Sequence, residues 1–206
     1  MSLSMALVDF IPVALFFVAS LILMRDLYHM MSKGAFALMS GGFIIIFVAG
    51  LFKATWKILY VLEICDYQAL NNAFFPMQST GFVLAALGLL ALVINPQQNK
   101  LMAVVVPFTS SMPLVVLLII GTAGLSSALA IISAKMKKVL PTILFVVYFI
   151  IMLGMGYLSS RDFTEPLWNW VGEGMNILGQ LSFLAAVLML DKSGLFTFEL
   201  AKSKNN

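Results

Sequence analysis

Charged side chains are scarce in this chain: of its 206 residues, 10% are charged and 62% are hydrophobic. A soluble domain of similar length has about 25% charged residues. Polar stretches are short, and none approaches the roughly 50 residues that a separate soluble domain needs. Apolar stretches of about 20 residues or longer, the length that crosses roughly 30 Å of hydrocarbon, fill most of the sequence. The composition therefore predicts an all-α fold, a polytopic integral membrane helical bundle with residues 1–206 in a single transmembrane domain.

Cysteine and histidine occur once each, at Cys65 and His29. A lone cysteine excludes an intramolecular disulfide, and a lone histidine excludes a haem held by two histidines of this chain or a histidine-rich metal site. The chain also lacks a phosphate-binding loop and the HExxH, GxSxG and kinase signatures. We therefore expect a protein that is not an enzyme, with no catalytic residue, no metal and no cofactor. The net charge of +3 is attributed to lysines and arginines in short loops, so no nucleic-acid partner is expected.

The apolar stretches predict six transmembrane helices. A seven-span alternative arises if the uncharged stretch Leu101–Ala134 is divided into two. The predicted spans are about Met5–Met24, Gly34–Phe52 (continuing as Lys53–Leu62), Ala73–Ile94, Met112–Ala134, Pro141–Ser160 and a last span between Pro166 and Leu190.

Six spans place both termini on the same side of the membrane, and most of the basic residues then share that side. The positive-inside rule makes this side the cytoplasm, and the plasma (inner) membrane is the expected location. The basic residues assigned to the cytoplasmic side are Lys53, Lys57, Lys135, Lys137, Lys138, Lys192, Lys202 and Lys204.

The last span carries a polar stripe. Between Pro166 and Leu190 the only charged residue is Glu173, and three amides accompany it at helical spacing: Asn169, Asn176 and Gln180. Steps of four, three and four place all of them on one helix face. An acid facing lipid at the helix centre costs about 2.5–3.5 kcal/mol, so the stripe must face protein, water or a ligand.

The third span contains a proline between two amides. Pro76 frees a backbone carbonyl near Asn72, and such a break is tolerated where other groups or water satisfy it. A kink there is expected to form one wall of a cavity together with Asn72 and Gln78. A simple packing kink is the alternative. Asp9 in the first span is expected either to form an interfacial ion pair on the side where Lys53 and Lys57 lie or to extend to the interface as a snorkelling acid. A proton-carrying Asp9 is a further alternative.

The third and sixth spans also match at a shift of 98 positions, which aligns Gln78 with Asn176 and Gly81 with Gly179. Two halves of three spans each, residues 1–97 and 98–206, would have opposite orientations in the membrane. Inverted repeats of this kind underlie many secondary transporters, whose sites lie at the repeat interface. Chance similarity between apolar helices is the alternative explanation.

These patterns lead to a functional expectation: a small integral membrane transporter or permease subunit that binds a small polar or cationic solute between the third and sixth spans. The alternative is a non-transporting receptor or accessory subunit, in which the polar residues only hold helices together and Glu173 pairs with Arg25, His29 or Arg161. Expected partners are the lipid bilayer, a small-molecule or ion ligand, and either a second copy or a partner membrane subunit. The expected ligand-binding residues are Glu173, Asn176, Asn169, Gln180, Gln78 and Asn72.

In size and span number the chain resembles the substrate-binding membrane subunits of energy-coupling-factor vitamin transporters. The resemblance implies six spans with both termini inside and a substrate-binding role within a multi-component importer. The AxxxA signature of that family's first helix is absent, because Ala14 and Ala19 are five positions apart.

Overall fold

The computed structural model describes residues 2–94, 114–158 and 166–198, and within these ranges it contains helices and no strands. A short α1 and the longer α2 are joined at Asp9 and form one span. The described residues therefore contain six helical spans that are long and apolar enough to cross a membrane. The all-α prediction is confirmed. The helices are α1 Leu3–Val8, α2 Phe10–Leu27, α3 Lys33–Val61, α4 Gln68–Ile94, α5 Leu114–Lys135, α6 Val139–Leu158 and α7 Pro166–Lys192, followed by a 3₁₀ turn at Leu195–Thr197.

Local side-chain hydrogen bonds fix several helix ends. Ser32 Oγ accepts a hydrogen bond from the Ala35 amide at 3.3 Å at the start of α3, which satisfies one of the amides that a helix leaves unpaired. In the turn between α3 and α4, Asp66 accepts hydrogen bonds from the Trp56 indole and the Gln68 amide. These hydrogen bonds hold the pKa of Asp66 below its ordinary value. They also tie this turn to α3.

Small residues allow α3, α4 and α5 to approach closely. A Cβ atom placed on Gly42 of α3 would lie 2.5 Å from the backbone of Ala85 and Gly81 in α4, and one on Gly121 of α5 would lie 2.7 Å from the Val83 amide. Close backbone approach through small residues is a common source of helix association in membranes.

The helices form a closed ring in chain order. Each of α3 to α6 packs against the helices before and after it in the sequence, and α2 closes the ring by packing against both α3 and α7. The interior of the ring is apolar over much of its length, with fully buried Leu23, Phe43, Leu89, Leu129 and Phe183.

The direction of α5 differs from that of a simple up-and-down bundle. The Ser79 hydroxyl donates to the Leu114 carbonyl at 3.0 Å, so the start of α5 lies beside the first half of α4. Farther along, Gly124 of α5 faces Leu90 of α4. The two helices therefore run in the same direction, and Ile94 and Leu114 lie at opposite ends of the bundle. The residues between them, which include the first part of the uncharged stretch Leu101–Ala134, lie outside the described ranges.

Helices α2 and α7 also run in the same direction. Arg25, near the end of α2, pairs with Asp191 near the end of α7 at 2.5 Å. At the other end of the bundle, Asp9 and Glu173 share one lysine partner. We call the two ends of the bundle the Asp9 end and the Arg25 end. Helices α2, α4, α5 and α7 begin at the Asp9 end, whereas α3 and α6 begin at the Arg25 end.

The observed helix directions differ from two predictions made from the sequence. The described N-terminal residues lie at the Asp9 end, and the 3₁₀ turn at Leu195–Thr197 lies at the Arg25 end, where Phe196 contacts His29. The described ends of the chain, Ser2 and Phe198, therefore lie at opposite ends of the bundle, whereas both termini were predicted on one side. The described helices of the two halves follow the same order of directions, so they do not show the opposite orientations that an inverted repeat requires. The residue matches at a shift of 98 pair helices that run in the same direction.

We predict that Gly42→Ala destabilises the bundle, because its new methyl group would overlap the α4 backbone. Overpacking of this kind typically costs about 1–3 kcal/mol. The neighbouring Gly41 provides a matched control, since a Cβ there meets no atom within 4 Å. Gly41→Ala should stabilise the helix by about 0.5–1 kcal/mol by removing glycine's backbone freedom. Thermal unfolding of both detergent-purified variants checks this prediction, and equal melting temperatures would contradict the close α3–α4 packing.

Candidate functional site

A cavity of about 280 Å³ lies in the centre of the ring, toward the Asp9 end. Residues from α2, α3, α4 and α7 form most of its wall, and the α1–α2 junction contributes Asp9. The wall is mixed in character, with aromatic and aliphatic side chains beside charged and amide groups. Its polar side chains are Asp9, Lys53, Asn71, Gln78, Glu173, Asn176 and Gln180.

One lysine connects two carboxylates in this wall. Lys57 Nζ lies 2.5 Å from Asp9 Oδ2 and 2.8 Å from Glu173 Oε1. The side chains of Lys57, Asp9 and Glu173 are 4%, 6% and 10% exposed, so all three charges are buried. A buried charge has a high desolvation cost unless opposite charge and hydrogen bonds compensate it. The cluster joins the α1–α2 junction, α3 and α7 at one point.

The predicted ion pair of Asp9 is present with Lys57, but the partner of Glu173 differs from those considered in the sequence. Arg25 instead pairs with Asp26 and Asp191, at the opposite end of the bundle. His29 contacts the rings of Tyr28 and Phe196 there. Arg161 lies outside the described residues. Glu173 reaches Lys57 because α2 and α7 run in the same direction, which the sequence does not reveal.

Three buried carboxylate oxygens of the cluster have no hydrogen-bond donor among the described residues: Asp9 Oδ1, Asp9 Oδ2 and Glu173 Oε2. Asp9 Oδ2 lies within ion-pair distance of Lys57, so Asp9 Oδ1 and Glu173 Oε2 are the two oxygens that Lys57 does not contact. The two carboxyl groups are also close enough to interact with each other. Buried polar atoms nearly always have a hydrogen-bond partner, so these oxygens are suited to a donor that enters the cavity.

Lys53 lies one helical turn from Lys57 on α3 and also lines the cavity. Its ammonium lies 4.4 Å from the centre of the Phe74 ring, a cation–π contact. Within the described ranges, no carboxylate lies within ion-pair distance of Lys53. Its charge is therefore available to a ligand in the cavity.

The structure brings four of the six predicted ligand-binding residues together. Glu173, Asn176, Gln180 and Gln78 line the cavity. Asn169 is buried but is not part of the cavity wall, and Asn72 is exposed on the outer face of α4. Asn71 takes the position expected for Asn72, because it lies seven residues before Gln78 and so shares its helix face.

Four site residues were not among those predicted to bind ligand: Asp9, Lys53, Lys57 and Asn71. The spacing of Asn71 from Gln78 was a usable signal. Lys53 and Lys57 were counted among the basic residues of the cytoplasmic side, because the sequence alone does not show which face of α3 points into the ring. Among the described residues there is no group of three His, Cys, Asp or Glu side chains that could hold a metal ion.

Aromatic rings close the cavity toward the Arg25 end. Phe16 lines the cavity, stacks on Phe183 with ring centres 5.9 Å apart, and meets Phe43 edge to face at 5.8 Å. Phe183 also packs against Tyr148 at 4.9 Å. We call Phe16, Phe43, Phe183 and Tyr148 the aromatic floor. Contacts of this geometry add about 0.5–1.5 kcal/mol each beyond the burial of their area.

Comparisons of the chain with protein-family models, with curated proteins and with solved structures find no match. The fold and the site therefore define the molecule: a ring of six apolar helical spans around a charged, amide-lined cavity.

We predict that Lys57→Met is strongly destabilising, because it leaves two buried carboxylates without a cation. Removing one partner of a buried ion pair typically costs about 3–5 kcal/mol. Adding Asp9→Asn and Glu173→Gln to Lys57→Met should recover most of this loss, since neutral groups of the same shape carry no desolvated charge. Thermal unfolding of the single and triple variants measures both effects. A triple variant no more stable than Lys57→Met would show that the three charges do not form one cluster.

Proposed function

We propose that this protein is a small membrane transporter or permease subunit that binds a small polar solute in the central cavity. The observation that carries the proposal is the cavity itself, in which seven polar side chains face a volume of about 280 Å³ inside a ring of apolar helices. Ligand sites are typically concave and mostly apolar, with a few polar groups that fix the ligand's orientation. This cavity has that composition.

The cavity favours ligand binding over a purely structural role for its polar residues. Polar residues that only hold helices together hydrogen-bond directly across a helix interface. Here Gln78 of α4 and Asn176 of α7 line an open volume, and α4 and α7 are not packed closely against each other. Amides in such a position are satisfied by water or by a polar solute, because facing an empty apolar space would be costly.

The charges around the cavity change which net charge we expect the solute to have. The sequence suggested a cation site because Glu173 was the only charge in its span. In the structure Lys57 neutralises part of that charge, and the two carboxylates are balanced by Lys53 and Lys57. This balance favours a solute without net charge over a simple cation.

We propose that the Arg25 end faces the cytoplasm. This end carries most of the basic side chains of the described helix ends and turns. At the Asp9 end, Lys53 lines the cavity and Lys57 pairs with two carboxylates of its wall. Under the positive-inside rule the cavity then lies nearer the opposite face of the membrane. Transport would require the aromatic floor to part, and a receptor would keep it closed. The basic residues at the Arg25 end are Arg25, Lys33, Lys135, Lys137, Lys138 and Lys192.

The proposal predicts that a metabolite and ion screen finds a compound that raises the melting temperature of the detergent-purified protein. Binding stabilises by about 2.7 kcal/mol when the ligand is at a hundredfold excess over its Kd. Asn71→Ala and Glu173→Gln should reduce this shift strongly, because both side chains line the cavity. Glu173→Gln should still fold, since Asp9 remains to pair with Lys57.

Asn72→Ala is the matched control for that experiment. Asn72 is adjacent to Asn71 in sequence but exposed on the outer face of α4, so its loss should leave the ligand-induced shift unchanged. If Asn71→Ala, Glu173→Gln and Asn72→Ala all respond to the compound as the wild-type protein does, the cavity is not the binding site. The accessory-subunit interpretation would then be favoured.

The proposed orientation predicts that tags before Ser2 and in the turn at Lys137 report opposite sides of the membrane. The Lys137 tag should report the cytoplasm, because that turn lies in the basic Arg25 end. Protease protection or a compartment-specific reporter enzyme fused at each position measures the side. Two cytoplasmic tags would instead support the six-span model with alternating directions and contradict the parallel arrangement of α4 and α5.

A further inference from the structure

We infer that the solute is a zwitterion, a molecule with one ammonium and one carboxylate group on a short apolar body. This inference rests on the proposed function and specifies the ligand of the same cavity. It follows from three separate features of the wall: two acceptor oxygens without donors, one ammonium without a carboxylate partner, and an apolar region between helices.

The first feature is the pair of free carboxylate oxygens. Asp9 Oδ1 and Glu173 Oε2 belong to neighbouring carboxyl groups, and each lacks a hydrogen-bond donor among the described residues. Lys57 occupies only the other oxygen of each group. An ammonium group carries several N–H donors and can satisfy both free oxygens at once.

The second feature is Lys53. Its ammonium contacts the Phe74 ring and, in the described part of the chain, no carboxylate within ion-pair distance. A ligand carboxylate would give it the charged hydrogen-bond partner that the protein does not supply. A hydrogen bond between charged groups is stronger than one between neutral groups, so the ligand carboxylate should be recognised separately from the ammonium.

The third feature is the apolar part of the wall. Val13, Phe16, Ile46, Phe47 and Leu118 line the cavity together with the charged groups. Burying methylene groups among such side chains is favourable, because it removes apolar surface from water. A short hydrocarbon chain therefore fits this region, whereas a bare inorganic ion would leave it uncovered.

A simple cation or a simple anion fits the wall less well. A bound cation would satisfy the free oxygens but would add positive charge beside Lys53 and Lys57. A bound anion would pair with Lys53 but would leave the oxygens of Asp9 and Glu173 without donors and close to a further negative charge. A zwitterion satisfies both groups and leaves the net charge of the cavity unchanged.

The test compares four probes of the same chain length: norleucine, its isomer 6-aminohexanoate, hexylamine and hexanoate. The two zwitterions differ only in the separation of their charges, and each of the other two lacks one charge. Thermal shift and isothermal titration of the purified full chain give the apparent Kd of each probe. We expect at least one zwitterion to bind about tenfold more tightly than both hexylamine and hexanoate, since one charged hydrogen bond corresponds to such a factor.

Two variants identify which wall group recognises which charge. Lys53→Gln should weaken the zwitterion about tenfold, to the level of hexylamine, and should leave hexylamine binding unchanged. Glu173→Gln should weaken the zwitterion toward the level of hexanoate and leave hexanoate binding unchanged. A variant that only disturbs the fold would weaken all four probes equally. Asn72→Ala should bind all four probes as the wild-type protein does.

Several results would overturn the inference. Hexylamine binding as tightly as the zwitterions would indicate a cation site, and hexanoate doing so would indicate an anion site. In both cases the proposed function stands, because the cavity still binds a solute. If none of the four probes binds, the zwitterion inference is also rejected. The metabolite and ion screen, with Asn71→Ala as its variant, then tests the proposed function independently. Equal loss of all probes in Lys53→Gln and Glu173→Gln would reject the separate recognition of the two charges.

Discussion

The Lys57 ammonium, held between Asp9 and Glu173, is the interaction on which the arrangement of the bundle depends. It joins the first span, α3 and α7 through contacts of 2.5 and 2.8 Å between buried side chains at the edge of the cavity. Buried ion clusters contribute little net stability, because desolvation offsets most of the Coulomb attraction. Their effect is on specificity, since any other register of these helices would leave at least one charge buried without a partner.

Different contacts hold the helices together on the two sides of the ring: small residues on one side and ion pairs on the other. On one side, glycines bring α3, α4 and α5 into close backbone contact. On the other, α2 and α7 are tied at both ends, by Lys57 at one and by the Arg25–Asp191 pair at the other. The aromatic floor fills the interior of the ring between the Lys57 cluster and the Arg25–Asp191 pair. The cavity remains at the Asp9 end because charged and amide side chains there replace the apolar groups that would otherwise pack across the centre.

The sequence was informative about features that depend on local periodicity. Hydropathy located the helices, and the spacing of Glu173, Asn176 and Gln180 identified the inward face of α7, because helical periodicity operates within a single segment. Gln78 and Asn72 were predicted from their positions beside the carbonyl that Pro76 frees. Helical spacing from Gln78 favours Asn71 over Asn72, and Asn71 is the residue that lines the cavity. Adjacent helix positions differ by about 100° in direction, so this single-residue error moves a side chain out of the cavity.

The sequence was uninformative about helix direction, which depends on contacts between distant segments. Lys53 and Lys57 were counted as loop charges, and this placed them on the same side as Lys135–Lys138. In the structure these two groups of lysines lie at opposite ends of the bundle. Lys53 lines the cavity, and Lys57 pairs with two carboxylates of the cavity wall. Charge counting fails in such a case because the positive-inside rule applies to lysines in loops and not to lysines that line a site.

The central claim is that an open polar cavity lies between α4 and α7 at the Asp9 end. Cysteine accessibility tests it most directly, in a Cys65→Ser background because Cys65 is exposed. Single cysteines at Gln78 and Asn176 should react with a membrane-impermeant maleimide from the face at which the Asp9 end lies. A cysteine at fully buried Leu89 should not react. If Gln78 and Asn176 are as unreactive as Leu89 from both faces of the membrane, the cavity is not open to water and the account is wrong.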